Sequence, residues 1–168
     1  MRMAYVIAIA GALAALAVSS PAQAQTGMPN HPDAGHVMGF DMDKTVHHFY
    51  LYEDGGAIDV SVKDKADKTN LDGIRTHLMH LSQMFGQGNV EMPAMVHETH
   101  TMPGLEDLAK LKDKINYTYK DTAQGGRVEI VTKDKDALKA VHAFLKYQIT
   151  DHKTGDSTNV TKRADAKR

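Results

Sequence analysis

From residue 45 onward the apolar positions change period twice, and in the same order each time. Val46-His47-His48-Phe49-Tyr50-Leu51-Tyr52 is rich in β-formers and ends at Glu53-Asp54-Gly55-Gly56. Ala57-Ile58-Asp59-Val60-Ser61-Val62-Lys63 then alternates strictly, with Ile58, Val60 and Val62 on one face. Two such runs about a glycine-containing turn predict a β-hairpin. Leu71, Ile74, Leu78, Leu81 and Phe85 follow at spacings of 3, 4, 3 and 4, the period of an amphipathic helix. Asn70 is the expected N-cap, and Gly86 and Gly88 the expected stop.

The second half reads the same way. Ile115-Asn116-Tyr117-Thr118-Tyr119 leads to Gly125-Gly126, and Arg127-Val128-Glu129-Ile130-Val131-Thr132 is the partner strand. Asp134 or Asp136 caps a helix carrying Leu138, Val141, Leu145 and Ile149. Between the halves, Leu105, Leu108 and Leu111 predict a short helical connector. The expected fold is α+β, a duplicated β-β-α unit with repeats at about 45–86 and 115–150. Four antiparallel strands form one sheet with helices packed on one face, because a lone hairpin buries too little to stand.

The ends read differently. Arg2, an apolar run over residues 4–18 and Ala22-Gln23-Ala24 make the basic start, core and small-x-small site of a secretory signal peptide, residues 1–24. The run has about 15 residues against the ~20 that a bilayer span needs. The expectation is a periplasmic or secreted protein, with no membrane span after cleavage. Residues 25–44 hold Pro29, Pro32 and three glycines without periodicity, an extended or disordered lead-in. Residues 152–168 read as a polar, basic, solvated tail, leaving 45–151 as the single folded domain.

Composition narrows the chemistry. The chain has 168 residues, 20 Lys+Arg against 21 Asp+Glu and a formal charge of −1, so nothing argues for a nucleic-acid partner. The absence of cysteine excludes disulfides, thiolate metal sites and covalent c-type haem attachment. No Gly-x-Ser-x-Gly elbow, phosphate loop or dinucleotide fingerprint is present. With neither a nucleophile context nor a carboxylate pair, an enzyme is the least supported class.

What remains is an excess of donors: ten histidines and ten methionines. His77, His80 and Met84 share a flank of the first predicted helix at i, i+3 and i+7. Imidazole and thioether on one stripe suit copper, since thioether favours Cu(I) and imidazole accepts either oxidation state. Zinc ranks below it. Residues 91–104 hold three methionines with His97 and His100, in the manner of a soft-metal loop. His47 and His48 leave opposite faces of their strand, so only one can join a given site. If the face of Phe49 and Leu51 meets the helices, His47 is buried. His142 lies near Leu138, Leu145 and Ile149 and could meet His47 inside, the basis of an alternative haem or small-ligand site. A third reading is an interaction domain without a ligand, its histidines tuning charge near pH 6.

Residues 38–49 (Met-Gly-Phe-Asp-Met-Asp-Lys-Thr-Val-His-His-Phe) and 144–156 (Phe-Leu-Lys-Tyr-Gln-Ile-Thr-Asp-His-Lys-Thr-Gly-Asp) resemble a family of small, exported, histidine-rich bacterial proteins. The resemblance covers most of residues 38–156 and implies no residue roles. Some members carry an aspartate carbamoyltransferase label. This chain is too short for two α/β domains and lacks the Ser-Thr-Arg-Thr phosphate-binding run, so that activity is rejected.

Overall fold

Both predicted hairpins form, and they join through their inner strands. The computed structural model describes residues 38–97, 99 and 101–163. The signal peptide and His100 therefore lie outside the described residues. Strand β1 (Thr45–Tyr52) pairs antiparallel with β2 (Gly55–Val62), and β3 (Ile115–Thr122) with β4 (Gly125–Thr132). β2 also pairs antiparallel with β4, giving a four-stranded sheet of order β1-β2-β4-β3. The turns are the pairs Glu53-Asp54 and Ala123-Gln124, while each Gly-Gly pair opens an inner strand.

Four helices complete the α+β fold: α1 (Lys68–Gly86), α2 (Glu91–Val96), α3 (Leu105–Lys110) and α4 (Lys135–Asp151). Helix α1 lies over β3, β4 and β2, whereas α4 lies over β1, β2 and β4. Each long helix thus covers chiefly the hairpin of the other half. The core between sheet and helices takes Phe49, Leu51, Ile58, Val60, Val128 and Ile130 from the strands. Ile74, Leu78, Leu81 and Phe85 from α1 meet Val141, Phe144, Leu145 and Ile149 from α4 there. No helix of the described residues is long and apolar enough to cross a membrane.

Four local expectations change. Asp67, not Asn70, caps α1: its carboxylate accepts the Asn70 N–H at 3.1 Å. Asn70 is buried one turn later and accepts the Asp41 N–H through Oδ1 at 2.7 Å. That bond ties down the end of the lead-in, where Met38 and Phe40 are each only 5% exposed. The segment crosses α1 at Gly73, whose missing Cβ would stand 2.4 Å from the Gly39 carbonyl oxygen. The methionine-rich loop contains α2, in which Pro93 sits in the first turn, where it forfeits no helical hydrogen bond.

The fourth change concerns the tail. Residues 152–163 stay largely exposed, as expected of a solvated tail, but are tied to the edge of β1. Thr161 forms a parallel bridge with Tyr52: its N–H donates to the Leu51 carbonyl at 3.1 Å, and the Glu53 N–H donates to the Thr161 carbonyl at 3.0 Å. Arg163 lies 4.5 Å from the Tyr52 ring centroid, pairs with Asp54 and Glu129, and donates to the Ile130 carbonyl at 2.9 Å. The polar composition that suggests a free tail instead serves a strand edge, whose open N–H and C=O groups need polar partners.

Candidate metal centre

The pleat of β1 decides which of its histidines faces the helices. His47, opposite Val60 in the β1–β2 register, points inward and is 8% exposed. It lines a small cavity of about 50 Å³ between the sheet, α1, α2 and the end of α4. Phe49, Ile58, Val60, Leu78, Leu81 and Phe144 form the apolar part of the wall. The polar part is four imidazoles, His47, His77, His97 and His152, together with Gln148.

Three donors converge most closely. One ligand atom each from His97, Asp151 and His152 lies within 4.8 Å of the other two. Asp151 ends α4, and His152 is its C-cap. His97 is the C-cap of α2, so a short helix and a long one present their ends to each other. The loop after α2 is drawn onto α4 at Gly104, whose φ of +79° and close approach leave no room for a side chain. A Cβ there would meet the Ala140 carbonyl oxygen at 2.3 Å. Gln148 donates from Nε2 to the Met102 sulfur at 3.2 Å, which fixes the same loop from within.

His97 Nδ1 donates to Asp151 Oδ2 at 2.8 Å. A carboxylate can only accept, so Nδ1 carries the proton in this contact. The His47 ring stands 5.0 Å from that of His152, centroid to centroid, and His152 stands 5.2 Å from His97. Phe40 packs against both His47 and His77, at 5.9 and 5.6 Å.

Burial sets the protonation of two of these rings. Desolvation, with added repulsion from His77, His48 and His97, lowers the His47 pKa to about 3. Desolvation, with repulsion from His80, lowers that of His77 to about 4. Both are neutral at physiological pH, the state in which imidazole offers a lone pair to a metal. The His77 Nδ1 is buried and has no hydrogen-bond partner among the described residues.

The remaining candidates from the sequence go elsewhere. His48 faces the outer side, where its Nδ1 donates to Asp156 at 2.8 Å. The same carboxylate accepts the Phe49 N–H at 2.9 Å. That pairing raises the His48 pKa. His80 is exposed, and Met84 lines neither the cavity nor the hollow beside it, so the helical stripe of three is split. His142 does not meet His47. Its Nε2 donates to the carbonyls of Tyr52 at 2.9 Å and Gly55 at 3.0 Å, holding the β1–β2 turn. Five residues of strand separate that turn from His47, about 17 Å at the usual rise.

Asp151 and His152 are the site residues that sequence reasoning missed. The signal was available in the stripe of α4: His152 falls three residues after Ile149 and four after Gln148, so it continues the inward face. No family model, curated protein or solved structure matches the chain.

Proposed function

We propose that the protein is an exported, non-enzymatic binder of a transition-metal ion, copper first, held by His97, Asp151 and His152 with His47 as the adjacent fourth donor. The observation that carries the reading is the convergence of three ligand atoms within 4.8 Å on the ends of two helices. Several features support it. A cavity of about 50 Å³ lies well below the roughly 300 Å³ at which pockets for small organic molecules begin, so an ion suits it better than haem or another organic ligand. The neutral rings of buried His47 and half-buried His77 accept an ion without first having to lose protons. Met38 and Met92 add thioethers to the wall, which favours Cu(I), whereas the Asp151 carboxylate is the donor that zinc or Cu(II) would use. The apolar run over residues 4–18 and Ala22-Gln23-Ala24 support export.

Competition of the untagged protein against chromophoric chelators for Cu(I), Cu(II) and Zn(II) tests the reading. Binding tighter than about micromolar, weakened about 100-fold by His97→Ala or His152→Ala, is the expected result. Equal affinity in the variants and the parent protein would overturn it.

A further inference from the structure

The inner cavity has an outer neighbour. A larger hollow of about 390 Å³, open to solvent to much the same degree, lies against α1 beside Asp72, Gly73 and Thr76, with exposed His80 on its wall. Three residues, Met38, His77 and Met92, line both this hollow and the inner cavity. His77 therefore stands on the partition. One turn of α1 separates it from exposed His80. Its Nδ1 is shielded and lacks a hydrogen-bond partner among the described residues, an unfavourable state for a buried polar atom. A passing or resident ion would satisfy it.

The donor types change along this line. On the outside is an exposed imidazole, on the partition two thioethers and one imidazole, and inside imidazoles with a carboxylate. Thioether selects Cu(I) against Zn(II) and Cu(II), which prefer nitrogen and oxygen. The partition thus has the composition of a filter, and the inner set that of a holder. Met92 is half-buried at the start of α2 and Met38 is buried, so one sulfur can meet solvent-borne ions before the other.

We infer that the outer hollow is a capture site for Cu(I), where His80 and Met92 take the ion first and His77 with Met38 conducts it to the inner cluster. The inference rests on the reading of His97, Asp151 and His152 as the holding site. No bond is made or broken except metal–ligand bonds, and the copper stays Cu(I) throughout.

The test is stopped-flow transfer of Cu(I) from its bicinchoninate complex to the full mature chain, followed by the loss of the donor's colour. The variant His80→Ala removes an exposed side chain that lines the hollow and not the inner cavity, and circular dichroism checks its fold. Transfer about tenfold slower, with end-point affinity within about threefold of the parent, is expected. Met92→Leu alone is expected to slow Cu(I) transfer while Zn(II) loading keeps its rate. If His80→Ala loads at the parent rate while His97→Ala has lost affinity, the capture route is wrong and the holding site stands. Equal slowing of Cu(I) and Zn(II) by Met92→Leu overturns the sulfur filter. If His97→Ala binds as tightly as the parent, both readings fall. Loss of affinity confined to the outer variant would then move the binding site to the hollow.

Discussion

His47 and His48 are neighbours in β1, and the pleat sends them into two regions that treat an imidazole in opposite ways. Inward, His47 meets Phe40, Phe49 and other imidazoles, and hydrocarbon with like-charged neighbours holds it neutral. Outward, His48 meets the Asp156 carboxylate at the sheet edge, and the pair favours the charged ring. The composition of the dipeptide is identical on both sides, so the face alone decides whether a histidine offers a lone pair or a proton. Among the described residues, it is the inner region that brings His97, Asp151 and His152 together. The outer one has the chemistry of a clasp.

The largest expected difference between the regions is in metal affinity. His97→Ala/His152→Ala is expected to weaken Cu(I) binding by about 100-fold or more, and His48→Ala to leave it within about twofold, by chelator competition. A drop with His48→Ala as large as that with the inner pair would erase the contrast.

Next in size is the acid response of the metal-free fold. The folded pKa values of His47 and His77, about 3 and about 4, lie below the unfolded 6.5. The unfolded chain therefore takes up protons below pH 6.5 that the folded chain refuses, and stability falls as the pH drops through that window. Urea unfolding is expected to show a loss of about 3 kcal/mol between pH 7 and pH 5, roughly halved in His47→Leu. A flat profile over that range would place charged rings inside.

His142→Ala supplies a control of a third kind, a histidine used for structure. Its removal leaves the Tyr52 and Gly55 carbonyls short of a donor, a loss of about 1–2 kcal/mol in urea midpoint experiments, with metal affinity unchanged.

The smallest effect belongs to the clasp. His48 has a raised pKa, so its contribution is complete below pH 6.5 and fades as the pH rises through the folded value. Asp156 has a lowered pKa, so its share is present above its usual 3.8 and is lost in stronger acid. His48 is more than one-third exposed, and solvent screening limits the pair, so Asp156→Asn is expected to cost about 1 kcal/mol. The cost is expected to be greatest between about pH 4 and 6.5 and to shrink toward pH 8. Faster amide exchange at Phe49, whose N–H donates to Asp156, is its local mark.

Period and turn chemistry made the architecture readable. The alternation of Ile58, Val60 and Val62 and the 3–4 spacing from Leu71 to Phe85 are short-range patterns, and the sheet and helices follow from them. The inward setting of His47 was readable too, because it shares a face with Phe49 and Leu51. The candidate site was legible only in part. His47, His77 and His97 were named from sequence, yet their meeting depends on how α2 and the end of α4 are placed, which no local pattern encodes. Asp151 and His152 were hidden because they stand where an apolar helix gives way to polar chain. His80 and Met84 share a helical flank with His77 but leave it at different depths and heights. The docked tail escaped because hydropathy cannot distinguish polar groups that meet water from polar groups that meet a strand edge.

The exchange of covers between the two halves has a consequence for how the chain reaches this state. Helix α1 emerges early but its principal partners, β3 and β4, are made some thirty residues or more afterwards, and β1 waits longer still for α4. Closing the core therefore needs contacts between distant stretches of sequence on top of the two local hairpins, which slows the final step of folding. A nascent chain cut short of the last helix would leave β1 without its cover and Asp151 and His152 unmade, so the core and the proposed ligand set are completed by the same last stretch of polypeptide.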